Sequence, residues 1–583
     1  VTPGRLATAR ASARAAVAVV LVLAGAAGCA SVPAGSPVQV LRQVGGGDVV
    51  PPPGPVDGSN ALDLVRDFVT ASGSSTDQHG AARRFLAPEA ADWDDAAGLT
   101  VLDGQIDTVP APGAQAGSDT TTIRIRSTVI GRVTSAGSFE PEQSSFQQDV
   151  EVVRRDGQWR ISRLPDGVVV PLTIFRNNYR TVRTWFVDPV RRVAVADLRY
   201  LPSVPARAQA SRVMELLLAG PSGALLGAAA TQLVPGAVLR SNVAPSPDGA
   251  LVVDLSRIGD LDEPARRLLA AQVVLSLAEV NVARVRLLVD GEPLLPGRPE
   301  LTREDVAALS GDVQPGADVP ALVVRGGRVG LLSGPEPDAP LPGPAGNGTY
   351  AVESAASTVD GQRLAVVAAA DGGATLLVGG GADGGIAPVP LAAASMTRPS
   401  WTPTGGEVWT VLDAAAVARV ILDDAGPVRS GQVNADELAA LGPIQDLRLS
   451  RDGMRVVAVV GGGLYSGAVA RSIDGEVAIR NIRRLRPAQL GEVVAADWRS
   501  AESVVAITRD GERLVAQVAV DGLEFQDVLN DNLTPPLTAV AAAPNRPLLV
   551  TDQGGVWSFG GGEQDAWRQV LGAFPDAVPV YPG

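Results

Sequence analysis

The chain carries one cysteine, Cys29, and one histidine, His79, so any chemistry that needs these side chains is confined to two positions. One thiol cannot close an internal disulfide, and one Cys with one His cannot supply the ligands of an ordinary zinc site. A Ser-His-Asp relay would have to run through His79, which stands in Thr76-Asp77-Gln78-His79-Gly80. Asp77 is too close along a polar stretch to orient it as a base, and a solvated turn is the expected place for His79. Asp254 and Ser256, in Val253-Asp254-Leu255-Ser256, could pass for an acid and a nucleophile. With no histidine or second acid beside them they read as a strand end or turn. The run Gly379-Gly380-Gly381-Ala382-Asp383-Gly384-Gly385 could bring backbone N–H groups close to a phosphate, but no Lys-Ser or Lys-Thr follows and no helix opens, so a turn between strands is expected. The expected catalytic, cofactor-binding and metal-binding residues are therefore none.

The surroundings of Cys29 point to a different chemistry. Arg5, Arg10 and Arg14 precede an uncharged run, Ala15 to Ala27, that holds Val17, Val19, Val20, Leu21, Val22 and Leu23. A basic start and a short apolar run have the form of an export signal, and the run falls well short of the roughly 20 residues of a membrane-spanning helix. Ala26-Ala27-Gly28-Cys29 closes it. Small residues before a lone cysteine resemble the lipobox of bacterial lipoproteins, in which the thiol takes a diacylglyceryl group and a peptidase cuts on its N-terminal side. The expectation is a signal peptide over residues 1–28 and lipid attachment at Cys29, with acyl chains such as palmitate as the anchor. Two chains hold stably where one binds only marginally. Cleavage would remove three arginines and no acid, taking the net charge from −14 to −17. Residues 29–56, with Gly45-Gly46-Gly47 and Pro51-Pro52-Pro53, bury too little apolar surface to order themselves and read as a flexible tether. No later segment has a long uninterrupted apolar run, so the body is expected outside the membrane, on its extracytoplasmic face.

A chain of 583 residues needs several domains. Apolar residues are 46% of it and aromatics only 4%, so the cores must be built chiefly from Val, Leu and Ala. The acidic balance disfavours nucleic acid, which needs a basic face. Residues 57–172 open with Leu62, Val65, Phe68 and Val69 on one face of a helix that Ser59 or Asn60 can cap. A short helical stretch follows through Ala81, Ala82, Phe85 and Leu86. Then Ile123, Ile125 and Val129 alternate with polar residues as in a half-buried strand, and Asp156-Gly157 marks a hairpin. This helix-helix-sheet order resembles the cone-shaped α+β folds of the nuclear-transport-factor type.

Residues 178–300 read as a second α+β domain. Two strands, Thr184 to Val187 and Arg192 to Leu198, lead to a helix beginning near Pro205 and ended by Gly220-Pro221. A strand over Leu251 to Ser256 precedes a helix, opened by Pro264, that is apolar nearly all round and so expected to be buried. Met214 to Pro221, Val253 to Ser256, Leu269 to Val274 and Val289-Asp290-Gly291, in that order, are similar to the GerMN domain of spore-germination proteins. That resemblance implies an extracytoplasmic binding module. Residues 319–583 are short apolar strands separated by turns, with Asp-Gly pairs beginning at Asp360, Asp371, Asp383, Asp452, Asp474, Asp510 and Asp521. A weak repeat anchored near Gly361, Gly405, Gly453, Ser503 and Arg546 has the period of a propeller blade. Five or six blades are expected, closed by pairing the first and last strands so that no edge is left free; an open pair of sandwiches is the alternative.

Lipid anchor, α+β domain, GerMN-like domain and propeller, in that order, resemble the LpqB-type lipoproteins of actinobacteria. The resemblance implies an accessory protein that binds the extracytoplasmic domain of a sensor histidine kinase of the MtrA-MtrB type and modulates its phosphorelay, affecting cell-wall homeostasis and division. It implies no enzyme and no cofactor; the expected partners are membrane lipid through Cys29 and the kinase, with no nucleic acid. The alternative from the residues themselves is an envelope hydrolase acting on peptidoglycan or another glycan through paired carboxylates in the propeller's central channel.

Overall fold

A computed structural model describes residues 53–583, except 115–117, 333–337, 381–384, 423–427, 487, 510 and 562–565. The expected signal peptide, Cys29, most of the expected tether and the centre of the Gly379–Gly385 run lie outside the described residues. The chain enters its first domain through Asn60, whose side chain accepts from Asp63 N at 2.9 Å and caps helix α1, Ala61–Ala71. The helix buries Leu64, Val65, Phe68 and Val69. Beneath that face lies an antiparallel sheet of β1 Leu99–Leu102, β2 Asp107–Pro110, β3 Thr120–Val133, β4 Phe139–Arg155 and β5 Gln158–Arg163, to which β6 Val168–Pro171 adds a parallel edge on β1. Asp156 and Gly157 both take positive φ between β4 and β5, which is the two-residue turn that an Asp-Gly pair accommodates at low strain. Ile123, Ile125, Val150 and Val152 point from the sheet to the helix. One member of this core, Leu523, comes from the other end of the chain.

A hairpin, β7 Tyr179–Asp188 and β8 Val193–Pro202, begins the second domain and leads into the helix Ala206–Leu218. Strands Leu251–Ser256 and Val285–Val289 pair in parallel, joined by the helix Glu263–Ala278 as crossover. Every residue from Leu268 to Leu277 in that helix is buried. Its polar members are answered: Gln272 accepts from Gln232 N at 3.0 Å and donates to Thr231 at 2.8 Å, and Ser276 Oγ accepts from Trp185 N at 2.8 Å. Leaving such groups unpaired would cost about 1–3 kcal/mol each.

Among the described residues beyond 320 there are six four-stranded antiparallel sheets. Five begin with inner strands at Val352, Ser400, Ile444, Val493 and Ala539. The remaining sheet joins Leu322–Arg325, Arg328–Leu331 and Ala339–Pro340 to the last strand, Val578–Val580, which pairs with Leu322–Arg325. Neighbouring inner strands touch all the way round, so the sheets close into a ring. The repeat extends to single hydrogen bonds. Gly361 N, Gly405 N and Gly453 N donate to the carbonyls of Thr358, Thr402 and Ser450, and the hydroxyls of those residues accept from Arg363 N, Glu407 N and Arg455 N. Each of the three glycines has φ near +70°, where a side chain would be strained. Trp401 and Trp498 then stitch sheets together, donating to Ala356 O and Arg448 O of the preceding inner strands, each at 3.0 Å. The described Asp-Gly pairs, those at Asp360, Asp371, Asp452, Asp474 and Asp521, all stand in turns between antiparallel strands. No helix among the described residues is long and apolar enough to cross a membrane.

Candidate functional site

The middle of the ring is where a catalytic carboxylate pair would be expected, and two carboxylates there, Asp497 and Asp446, are engaged. Asp497, on the inner strand Val493–Ser500, is buried between Arg448 of the inner strand Ile444–Leu449 and Arg398, which lies just before the inner strand that starts at Ser400. Its Oδ1 is 3.5 Å from Arg448 Nε and accepts from Trp498 N at 3.0 Å; its Oδ2 is 3.8 Å from Arg398 and accepts from Ala542 N at 3.1 Å. Asp446 Oδ2 accepts from Ala496 N at 3.3 Å. Arg398 crosses to Val540 O at 3.1 Å, while Arg451 reaches Ala542 O at 3.0 Å and also Pro582 O. Burial alone would raise the Asp497 carboxyl, but Arg398, Arg448 and Arg451 outweigh it and hold its pKa below the ordinary value. Burial, helped by Arg398, pulls Arg448 down to about 10. Several inner strands are cross-linked in this way by buried charge, and what the arrangement does chemically is fix them to one another.

A second polar centre joins all three domains. Tyr200, near the end of β8, donates its backbone N–H to Gly137 O of the first domain at 2.7 Å, and its ring packs against Phe139 and Phe175, centroids 6.3 and 5.4 Å away. Its hydroxyl donates to Asp521 Oδ2 of the ring at 2.7 Å. Burial raises the pKa of both partners. Asp521 begins a turn that carries Leu523 into the first domain's core and sets Glu524 against Arg176, with bonds of 3.1 and 2.9 Å. Next to it, Arg199 is fully buried, donating to Asp197 at 2.7 Å, Gly220 O at 2.8 Å and Ala136 O at 2.7 Å. Arg455 of the ring donates to Ala196 O at 2.8 Å. No signal in the sequence marks Tyr200, Asp197 or Asp521 for this role, because their partners are remote in the chain.

The residues singled out by sequence fall elsewhere. Asp254 accepts from Gly291 N at 3.1 Å and Ser256 donates to Asp290 at 2.7 Å, so both fasten the turn at Asp290-Gly291. His79 departs from expectation: it is 8% exposed and buried rather than solvated. Asp77, Gln78 and His79 all adopt positive φ, which turns the ring inward against the edge of Trp93. Nδ1 is 2.9 Å from Ser72 O and donates to it, and Nε2 is 3.8 Å from Asp95, a carboxylate that Arg83 already holds at 2.7 Å. Burial lowers its pKa against the opposing pull of Asp95. Among the described residues no group of three or more His, Cys, Asp or Glu is arranged to hold a metal ion.

Residues 54–176 match the family model described as Lipoprotein LpqB, N-terminal domain; residues 183–295 match Sporulation and spore germination; residues 335–582 match Lipoprotein LpqB beta-propeller domain. The chain is similar over its full length to a "Lipoprotein LpqB" of Rhodococcus jostii (strain RHA1), with 32% identity and 100% of each chain covered. It is 33% identical to one of Nocardia farcinica, covering 97% of each, and 30% identical to one of Mycobacterium tuberculosis, covering 97% of this chain and 99% of the relative.

Proposed function

The chain belongs to the LpqB lipoprotein family, and on that premise we propose that it is a lipid-anchored, non-enzymatic accessory protein that binds the extracytoplasmic domain of a sensor histidine kinase and modulates its phosphorelay. In this reading Cys29 carries the diacylglyceryl group, the signal peptide is removed, and the body stands on the outer face of the cell membrane. Each sheet of the ring is one blade, making the propeller six-bladed, and the first domain is of the nuclear-transport-factor type. The alternative, hydrolysis of peptidoglycan or another glycan, requires a pair of free carboxylates in the channel. The observation that carries the binding reading is the engagement of Asp497 and Asp446 at the ring's centre, which favours a scaffold over a hydrolase. Locking of the three domains through Tyr200 and Asp521 supports it further, since a rigid platform loses little entropy when it binds.

Cross-linking in cells followed by capture of the full-length protein tests the partner. Recovery of a sensor kinase is the expected result; turnover of purified cell wall by the protein would overturn it. Replacement of the anchor residue, Cys29→Ser, should abolish lipid labelling and release the protein from the membrane fraction. Unchanged labelling and retention would refute the attachment site.

A further inference from the structure

A cleft of about 600 Å³ lies between the first domain's sheet and the propeller, within the roughly 300–1,000 Å³ of sites that enclose small ligands. Its lining includes Ile130, Pro141, Ile482 and Gly522, and its two sides carry opposite charge. On the propeller side are Arg483, Arg484 and Arg486; on the first domain's side are Asp103, Glu140 and Glu142. Several of these charges are already matched. Arg483 lies 3.6 Å from Glu140, and Glu142 accepts from Arg132 at 2.8 Å and from Ser144 at 2.7 Å.

Three charges are left without a direct ionic partner among the described residues. Arg484 rests against the Tyr465 ring, 6.0 Å to its centroid, and Arg486 against Phe525 at 5.4 Å. Neither guanidinium meets a carboxylate, and the buried Nε of Arg486 has no hydrogen-bond acceptor. A guanidinium stacked on a ring keeps its N–H fork free for a planar anion. Opposite them, Asp103 accepts only from its neighbour Gly104 N, through one oxygen, at 2.9 Å. A polyanion would be repelled by a chain of net charge −14. A ligand carrying both signs avoids that repulsion and satisfies both sides.

We propose that this cleft binds a short zwitterionic peptide, its carboxylate held by Arg484 and Arg486 and its ammonium by Asp103. The site is independent of the kinase reading. Calorimetric titration of the full-length protein with tri-alanine bearing free termini tests it. Saturable binding is expected, weakened about tenfold when the peptide's C terminus is amidated, and by a similar factor in an Arg484→Gln, Arg486→Gln protein. N-acetylation of the peptide, or Asp103→Asn, should weaken it in the same sense. Failure of the wild-type protein to saturate, or equal affinity for the free and amidated peptides, would overturn the proposal. If the double variant does not fold, the comparison of peptides on the wild-type protein decides.

Discussion

Asp497 shows how one buried carboxylate can be structural where its position suggests catalysis. It stands between Arg448 and Arg398, with two backbone N–H groups completing its shell. Removing one member of such a set strands the others, which typically costs about 3–5 kcal/mol. Asp497→Ala should therefore lower the urea midpoint of the propeller sharply. A variant as stable as the parent would show that the centre of the ring is not held by this charge. His79 makes a pH-dependent contribution of definite sign. Its folded pKa is lowered by burial, so below the unfolded value of about 6.5 the unfolded chain takes up the proton first. Stability is then lost as pH falls from about 6.5 toward the lower folded pKa. Thermal unfolding between pH 7 and pH 5 should show a smaller drop in His79→Gln than in the parent, and parallel curves would contradict it. The burial of His79 was not legible from its polar neighbours, because Trp93 and the Ser72 carbonyl that enclose it become its wall only after the left-handed turn is made.

At the scale of elements, the turn that carries Asp521 to Glu524 acts as a peg. Leu523 is fully buried in the core that helix α1 and its sheet share with Phe85, Trp93, Phe175 and Tyr200. Leu523→Ala should cost about 2–5 kcal/mol, the usual range for a buried leucine, and should loosen the first domain from the propeller. Limited proteolysis near the connection at residues 172–179 would report the loosening; a cleavage pattern like the parent's would argue that the peg is dispensable. Hairpins were the most legible elements. Asp156-Gly157 and the turns at Gly361, Gly405 and Gly453 need positive φ at positions where the chain supplies Gly or Asp. The apolar helix Glu263–Ala278 announced its burial by lacking a polar face. What could not be read was which turn leaves its own sheet to enter another domain, since Leu523 looks like any apolar residue after an Asp-Gly pair.

For the whole molecule, the order of domains was legible and their mutual fastening was not. Tyr200 binds Gly137 and Asp521, residues far from it in sequence on opposite sides, and no local pattern encodes such a meeting. Burial raises the pKa of Asp521, so its ionisation weighs against the folded state, increasingly as pH rises through the interval between its unfolded value of about 3.9 and the higher folded one. An Asp521→Asn protein keeps an acceptor for Tyr200 and lacks that titration. Its stability relative to the parent should therefore increase as pH rises through that interval, as followed by thermal unfolding; a constant difference would mean that the carboxylate is not held in the way described. A platform fastened like this can present surfaces from all three domains to one partner. Equilibrium binding between the full-length lipidated protein, in membrane vesicles, and the purified extracytoplasmic domain of the proposed sensor-kinase partner measures whether it does. Saturable binding that is weakened by Leu523→Ala is expected; no binding to that domain at any attainable concentration would contradict a platform role.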